Sequence, residues 1–323
     1  MNQPNVDLDE PRPDRTESGP GSGAAPTAGA GLVDAARTGF GRRPRRRRLR
    51  RWASPLGIIG GVIAAAWILI AIFAPLIEPH NPLAQNLPVL QSPGHGTVLG
   101  TDALGRDELS RLLSGARVTI PLSLLLVAMS LTVGSILGAV AGFFGRWVDE
   151  LIMRITDLVM AFPTVILAMV IAAALGASLF NAVLAALIVS WPSYARLTRG
   201  LVLGLRKSNY VVSGQLLGFS PMRTLTRDIA PNVIGPILAL ATLDIGTATL
   251  LLSGLSFLGL GAKPPTAEWG SMVSDAIQNF DAWWLGVFPG LAILTIVMAF
   301  NFIGDAVRDA IDPHASTRGG TGE

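Results

Sequence analysis

The sequence predicts an all-α membrane protein with six transmembrane helices and cytoplasmic N and C termini, and three observations carry that prediction. Hydrophobic residues make up 50% of the 323 positions and charged residues only 15%, against about 25% charged in an ordinary soluble chain. That leaves too little polar material to cover a globule, in line with a mean hydropathy of +0.50. Apolar runs near the length of a bilayer crossing, about 20 residues, recur at roughly 56–77, 118–144, 151–175, 179–197, 232–258 and 285–304. The loops between them differ in charge. Arg196, Arg199, Arg206, Lys207, Arg223 and Arg227 face a single Asp228 between spans four and five, while Glu268, Asp275 and Asp281 face only Lys263 between spans five and six. Basic loops stay in the cytoplasm.

The order of elements follows from composition. Residues 1–54 form a cytoplasmic tail: Met1 to Thr38 is rich in Gly, Pro, Ala, Asp and Glu, with too few large apolar residues to offset ordering entropy, and is read as disordered. Eight arginines follow between Arg42 and Arg51, which explains the pI near 9.9. Their place directly before an apolar run makes them a lipid-facing anchor and not a nucleic-acid patch. The run from Pro55 to Ile77 is too long for a signal-peptide core and lacks a small-residue cleavage site. Residues 55–117 are then the first span and an outer surface segment, 118–313 a core of five further spans, and 314–323 a cytoplasmic tail. Gly134, Gly138 and Gly142 lie on one helix face and let another backbone approach, for bundle packing in preference to a dedicated dimer seam. Pro121, Pro163, Pro192, Pro236 and Pro289 lie in or beside spans, where a lost hydrogen bond permits a kink.

Composition also excludes chemistry. Without cysteine the chain has no disulfide framework, cysteine metal site or catalytic thiol. No Gly-Lys-Ser or Gly-Lys-Thr occurs, so it has no P-loop for ATP. His80, His95 and His314 are scattered, and His80 and His95 have no carboxylate at ligand spacing, so no metal site is predicted. No catalytic residues are assigned. An ion-coupled secondary transporter, the alternative reading, calls for ionisable residues on several spans and an inverted repeat; only Asp244 fits, and no repeat is visible.

The loop between spans four and five reads as helix, stop, helix. Ser208 or Asn209 caps the first helix, Gly218 takes the left-handed conformation that ends it, Ser220 caps the second, and Pro221 fits its first turn. The second helix is predicted to stop near Pro231. Tyr210, Leu217 and Phe219 form an apolar knob among cations, suited either to docking in a groove of a partner or to lying at the membrane interface.

In the order of these residues the chain resembles a known family, the permease subunits of binding-protein-dependent ATP-binding-cassette importers of the dipeptide, oligopeptide and nickel branch. The resemblance runs from about Leu99 to Pro313. It includes Leu99-Gly100-Thr101-Asp102-Ala103-Leu104-Gly105-Arg106-Asp107, the loop, Leu255-Ser256-Phe257-Leu258-Gly259-Leu260-Gly261, Pro264-Pro265-Thr266-Ala267-Glu268-Trp269-Gly270 and Asn301-Phe302-Ile303-Gly304-Asp305. It implies the importer type I permease fold, with the second permease of a heterodimer, two ATP-binding-cassette ATPase subunits that hold ATP and Mg, an extracytoplasmic binding protein, and location in a bacterial plasma membrane. This chain itself then binds no cofactor. The resemblance assigns the coupling role to Tyr210, Val212, Ser213, Gly214, Gly218 and Phe219, with Arg223 and Arg227 as polar contacts. Val212-Ser213-Gly214 stands where family members usually have Glu-Ala-Ala, so an acidic contact is missing. Peptides are the default substrate; nickel chelates, glutathione, opines and haem are handled by similar permeases.

Two further groups follow. The outer segment from Leu99 to Arg117 is expected to lie along the outer surface as a short helix, with Asp107 and Arg111 as an i,i+4 pair. Asp102, Arg106, Asp107 and Arg111 then form either a local charge network or a docking contact for the binding protein. Asp244 lies near the middle of span five, where a carboxylate is expensive unless it faces water, a cation or a hydrogen-bond partner. It is the pathway candidate, eight residues before Leu252, where family members often carry Glu. It either helps to hold the amine of a peptide or is bonded to Thr242, Thr247 or a neighbouring helix. Asp157 and Arg154 are expected to form a structural pair.

Overall fold

The computed structural model describes residues 54–311; the N-terminal tail, the arginine cluster and the segment after Ile311 lie outside the described residues. Within that range the chain is helical, apart from loops and one isolated bridge between Thr101 and Asp107. Helix α1 runs Pro55–Ile77, its first turn capped by the Ser54 hydroxyl, which accepts from the Gly57 N–H at 3.0 Å. Helix α2, Glu108–Phe144, is capped by Asp107, whose carboxylate accepts from the Ser110 N–H at 2.9 Å, and ends at Gly145 with φ +65°. Helices α3 (Arg146–Met160), α4 (Thr164–Leu175) and α5 (Leu179–Arg206) follow. After α6 (Asn209–Leu216), α7 (Pro221–Arg223) leads through a π-helical turn, Thr224–Ile229, into α8 (Ala230–Phe257). Helices α9 (Trp269–Ile277) and α10 (Trp284–Ile311) complete the described chain.

Among the described residues, four helical stretches are long and apolar enough to cross a membrane: α1, α2, Pro221–Phe257 and α10, with the bent pair α3 and α4 a fifth if taken as one span. The third predicted span is not one straight helix. The chain turns by 92° between α3 and α4, where Pro163 precedes α4 and cannot continue a helix from Ala161. Trp147, Leu151, Ile155 and Leu158 are exposed along one face of α3, while Asp149 and Asp157 of the same helix reach Arg199 and Arg196 of α5, with 2.7 Å contacts in each pair. Helix α3 is thus amphipathic, with one apolar and one charged face. Only twelve residues, α4, continue into the bundle. The expected Arg154–Asp157 pair is absent: Arg154 is 3.9 Å from Glu150 instead.

The bundle packs on two apolar clusters. One gathers Leu126, Ala168, Ala185, Val189, Val233 and Leu252 from α2, α4, α5 and α8; the other gathers Ala64, Ala116, Trp269, Met272, Ile296 and Phe300 from α1, α2, α9 and α10. Gly134, Gly138 and Gly142 all face α5 of the same chain, against Trp191 and Tyr194, Ala195, and Arg199 and Val202 respectively. The small-residue row therefore serves packing within the bundle. Pro121, Pro192, Pro236 and Pro289 lie inside continuous helices.

Two segment expectations change. Residues 108–117 are not a separate surface helix but the first turns of the unbroken α2. The helix begun at Pro221 does not stop at Pro231, because Pro231 occupies the first turn of α8, where a missing N–H is tolerated, and the preceding π turn absorbs the mismatch.

Candidate functional site

Three groups of predicted residues occupy three different places. The first is the helix–stop–helix loop after α5. Gly218 has φ +80°, as a left-handed stop requires, and the Ser220 hydroxyl caps the next turn at Arg223. Val211, Thr224 and Ile229 are fully buried and anchor the loop to the bundle. Tyr210, Val212 and Leu217 are exposed, but Phe219 is not part of the knob. Its ring lies against Gly214, where an added Cβ would be 3.0 Å away, and under the Arg223 guanidinium at 3.8 Å. Leu216, 83% exposed, and Met222 take its place on the surface. The sequence signal for them was their position on either side of the stop. Ser213 donates to the Asn209 carbonyl, a bond within α6.

The second group gathers where α2 begins. Asp102, Arg106, Asp107 and Arg111 are all buried, so the exposed i,i+4 pair of Asp107 and Arg111 is corrected. Arg106 pairs with Asp102 at 2.5 Å, Arg111 lies 3.4 Å from Asp102 and 3.9 Å from Asp275 of α9, and Asp107 is engaged in capping α2. Asp102 also accepts from the backbone N–H groups of Leu104 and Arg106. A cavity of about 130 Å³ opens beside Arg106, Arg111, Asp275 and Asn279. Glu108 is buried next to this cluster. Burial raises Asp275 above the usual carboxylate range.

Glu268, a residue the sequence reading did not single out, locks the same end of the bundle. It is buried, caps α9 by accepting from the Gly270 and Ser271 N–H groups at 3.0 Å, and lies 3.4 Å from the Thr119 and Ser253 hydroxyls. Trp269 donates from Nε1 to the Leu112 carbonyl at 2.9 Å and meets Trp67 edge-on. The Pro-Pro-Thr-Ala-Glu-Trp-Gly string is thereby a clamp between α2, α8 and α9. Gly270 is required because a Cβ there would collide with the Ser253 backbone.

The third place holds Asp244 of α8. Tyr194 of α5 donates its hydroxyl to Asp244 Oδ2 at 2.9 Å, so the neighbouring-helix partner is the one found. Thr242 instead bonds the Leu238 and Ala239 carbonyls. Asp244 also lines a cavity of about 140 Å³ walled by Leu126, Val127 and Ser130 of α2, Thr164 of α4, Ser190 and Ser193 of α5, and Thr247 of α8. The His80 backbone N–H donates to the Ser110 hydroxyl and its ring lies 3.7 Å from Asp107, His95 meets Ser92, and among the described residues no group of three metal-binding side chains occurs.

This geometry can be set beside known proteins. Residues 134–317 match the family model described as the binding-protein-dependent transport system inner membrane component, and residues 45–93 match the N-terminal transmembrane domain of oligopeptide transport permease C. The dipeptide transport system permease protein of Alkalihalophilus pseudofirmus is 43% identical over 80% of this chain and 86% of its own length. The nickel transport system permease protein of Escherichia coli is 43% identical over 83% of this chain and 96% of its own. The dipeptide permease of Escherichia coli is 44% identical, over 79% and 88%. Among solved structures, an inward-facing form of the MetNI methionine ABC transporter aligns with a TM-score of 0.52 at 14% identity, over 63% of this chain and 97% of that one. That likeness shows the fold.

Proposed function

Because the chain belongs to the family of binding-protein-dependent transport system inner membrane components, we propose that it carries di- or oligopeptides inward as one half of a heterodimeric pore. It is a membrane-embedded permease subunit of an ABC importer, not an ion-coupled carrier that works alone. The observation that carries the peptide reading is the similarity to dipeptide permeases along four fifths of the chain. The nickel permease is as similar, so the test must compare the two cargoes.

In this reading two ATPase subunits hold ATP and Mg, close on each other and move the α6–α7 loop, while a binding protein delivers cargo at the Arg106–Arg111 end. Leu216, Leu217, Met222, Tyr210 and Val212 would supply the apolar part of the ATPase contact, and Arg223 and Arg227 the charge. Its acidic element is missing at Val212-Ser213-Gly214, and the buried Val211 and the Gly214–Phe219 contact support a loop that holds its shape without it. Six crossings, with both termini in the cytoplasm of a bacterium, follow if the bent pair α3 and α4 counts as one span and α5 spans as well. That is supported by its 28 residues and its close packing along α2 through the glycine row.

The experiment is affinity purification of the tagged chain from its native membrane, followed by reconstitution of the recovered complex. Recovery of a second permease and ATP-binding-cassette subunits, with dipeptide uptake that needs ATP and a binding protein, is the expected result. Nickel uptake without dipeptide uptake would overturn the cargo assignment. Transport by the chain alone on an ion gradient would overturn the permease role.

A further inference from the structure

We propose that the cavity beside Asp244 is a station for a primary ammonium group, the cationic end of a peptide in transit; the inference rests on the permease reading above. Asp244 has only one of its oxygens occupied. Tyr194 holds Oδ2, and Oδ1 receives no hydrogen bond from a described residue. None of the ion pairs among the described residues involves Asp244. A carboxylate inside a bundle is costly without a counter-charge, so the position calls for a cation that the protein itself does not supply.

The surroundings select the kind of cation. An ammonium group carries three N–H donors and needs oxygen acceptors converging from several sides. The cavity offers Asp244, with hydroxyls from Ser130, Thr164, Ser190, Ser193 and Thr247 on four helices. Ser130 is the independent sign of a missing ligand. It is fully buried, it lines the cavity, and its hydroxyl has no hydrogen-bond partner among the described residues. Leu126, Val127, Val189, Ala248 and Leu251 close the remaining wall, which strengthens the electrostatics of whatever charge enters. Tyr194 acts as a positioning residue: fully buried, it fixes the carboxylate and leaves Oδ1 for the cargo. Free peptides bear such an ammonium group at neutral pH.

The absence of native cysteine gives a direct test. In membranes holding the whole transporter, Thr247→Cys puts a single thiol of this chain on the cavity wall. Its labelling rates with aminoethyl and sulfonatoethyl methanethiosulfonate are compared, with and without Asp244→Asn, which keeps the side-chain size and the acceptor for Tyr194. The cation-over-anion preference is expected to fall about tenfold, the size of one charge-assisted hydrogen bond. An unchanged preference, as a permanently neutral carboxyl would give, overturns the proposal. Under turnover, alanyl-alanine is expected to slow labelling, whereas sodium in place of choline is not; protection by sodium alone would make the site one for a bare ion and overturn the ammonium assignment. In uptake assays Asp244→Asn alone is expected to lose about tenfold in alanyl-alanine transport while binding-protein-stimulated ATP hydrolysis persists. Undiminished uptake by the variant overturns the station. Failure of the unsubstituted transporter to move alanyl-alanine would instead overturn the peptide reading, with the labelling ratio still judging the cavity.

Discussion

Replacing Gly138 by alanine tests the close approach of α2 and α5. The added Cβ would lie 2.9 Å from both the Cα and the carbonyl carbon of Ala195, and nearer still to that carbonyl oxygen, whereas ordinary contact begins at 3.4 Å. The obstacle is backbone, which no rotamer change removes. The helices must separate locally by at least the 0.5 Å difference between those two distances. Every contact along the seam then weakens, from Gly134 against Tyr194 to Gly142 against Val202. Overpacking of this kind costs about 1–3 kcal/mol, offset in part by the roughly 0.5–1 kcal/mol that alanine gains over glycine in a helix. Gly200, also on α5, is the control, because nothing in the chain lies within 4 Å of its added Cβ. The assay is loss of the assembled complex on heating in mild detergent, read by size-exclusion chromatography. Gly138→Ala is expected to melt about 2–10 °C below Gly200→Ala. Equal melting of the two variants would refute the claim that the glycine row sets the distance between these helices.

Phe219→Ala removes the ring held between Gly214 and Arg223; assembly should persist, while transport per ATP hydrolysed should fall by about threefold or more as the loop loosens. Trp269→Phe loses the bond to the Leu112 carbonyl and should cost about 1–2 kcal/mol of stability in thermal melts, with the T-shaped contact to Trp67 kept in part.

The apolar stretches of the continuous helices were legible, though not all of their ends, because lipid-facing runs carry their signal in consecutive residues. The run at 56–77 became Pro55–Ile77, and the stop at Gly218 and cap at Ser220 came from residue chemistry that acts over one turn. What failed depends on averaging or on distance. A hydropathy window spreads the apolar stripe Trp147, Leu151, Ile155 and Leu158 over the intervening Asp149, Glu150 and Arg154, so an amphipathic helix and a short, uniformly apolar one merged into a single unbroken run. The stripe at helical spacing, read with Pro163, was the signal that separates them. Asp157 was paired with Arg154 on sequence proximity, but its partner, Arg196, comes from α5. Tyr194 and Asp244, 50 positions apart, carry no local mark of their meeting. Glu268 read as one acidic residue among several in a loop, since its burial comes from α2 and α8 closing over it.

One helical rod joins the three places that matter. From Pro221 to Phe257 the chain is continuous, so the exposed loop, Asp244 and the Ser253 contact to Glu268 lie along a single element. By helix rise, Pro221 to Asp244 is about 35 Å. A push on the loop therefore reaches the cavity as movement of a stiff body, except where the rod has a built-in weakness. That weakness lies close to the loop: the π turn at Thr224–Ile229, followed by Pro231 and Pro236, interrupts the regular hydrogen-bond ladder. Above Pro236 the ladder has no further proline, and Asp244 and Ser253 move together. Because Tyr194 stands on α5 and Asp244 on α8, any rotation of the rod against α5 alters the one hydrogen bond that orients the carboxylate. A displacement of the loop carried along this rod would thus change the geometry at Asp244, and the Tyr194 hydrogen bond from α5 would register it.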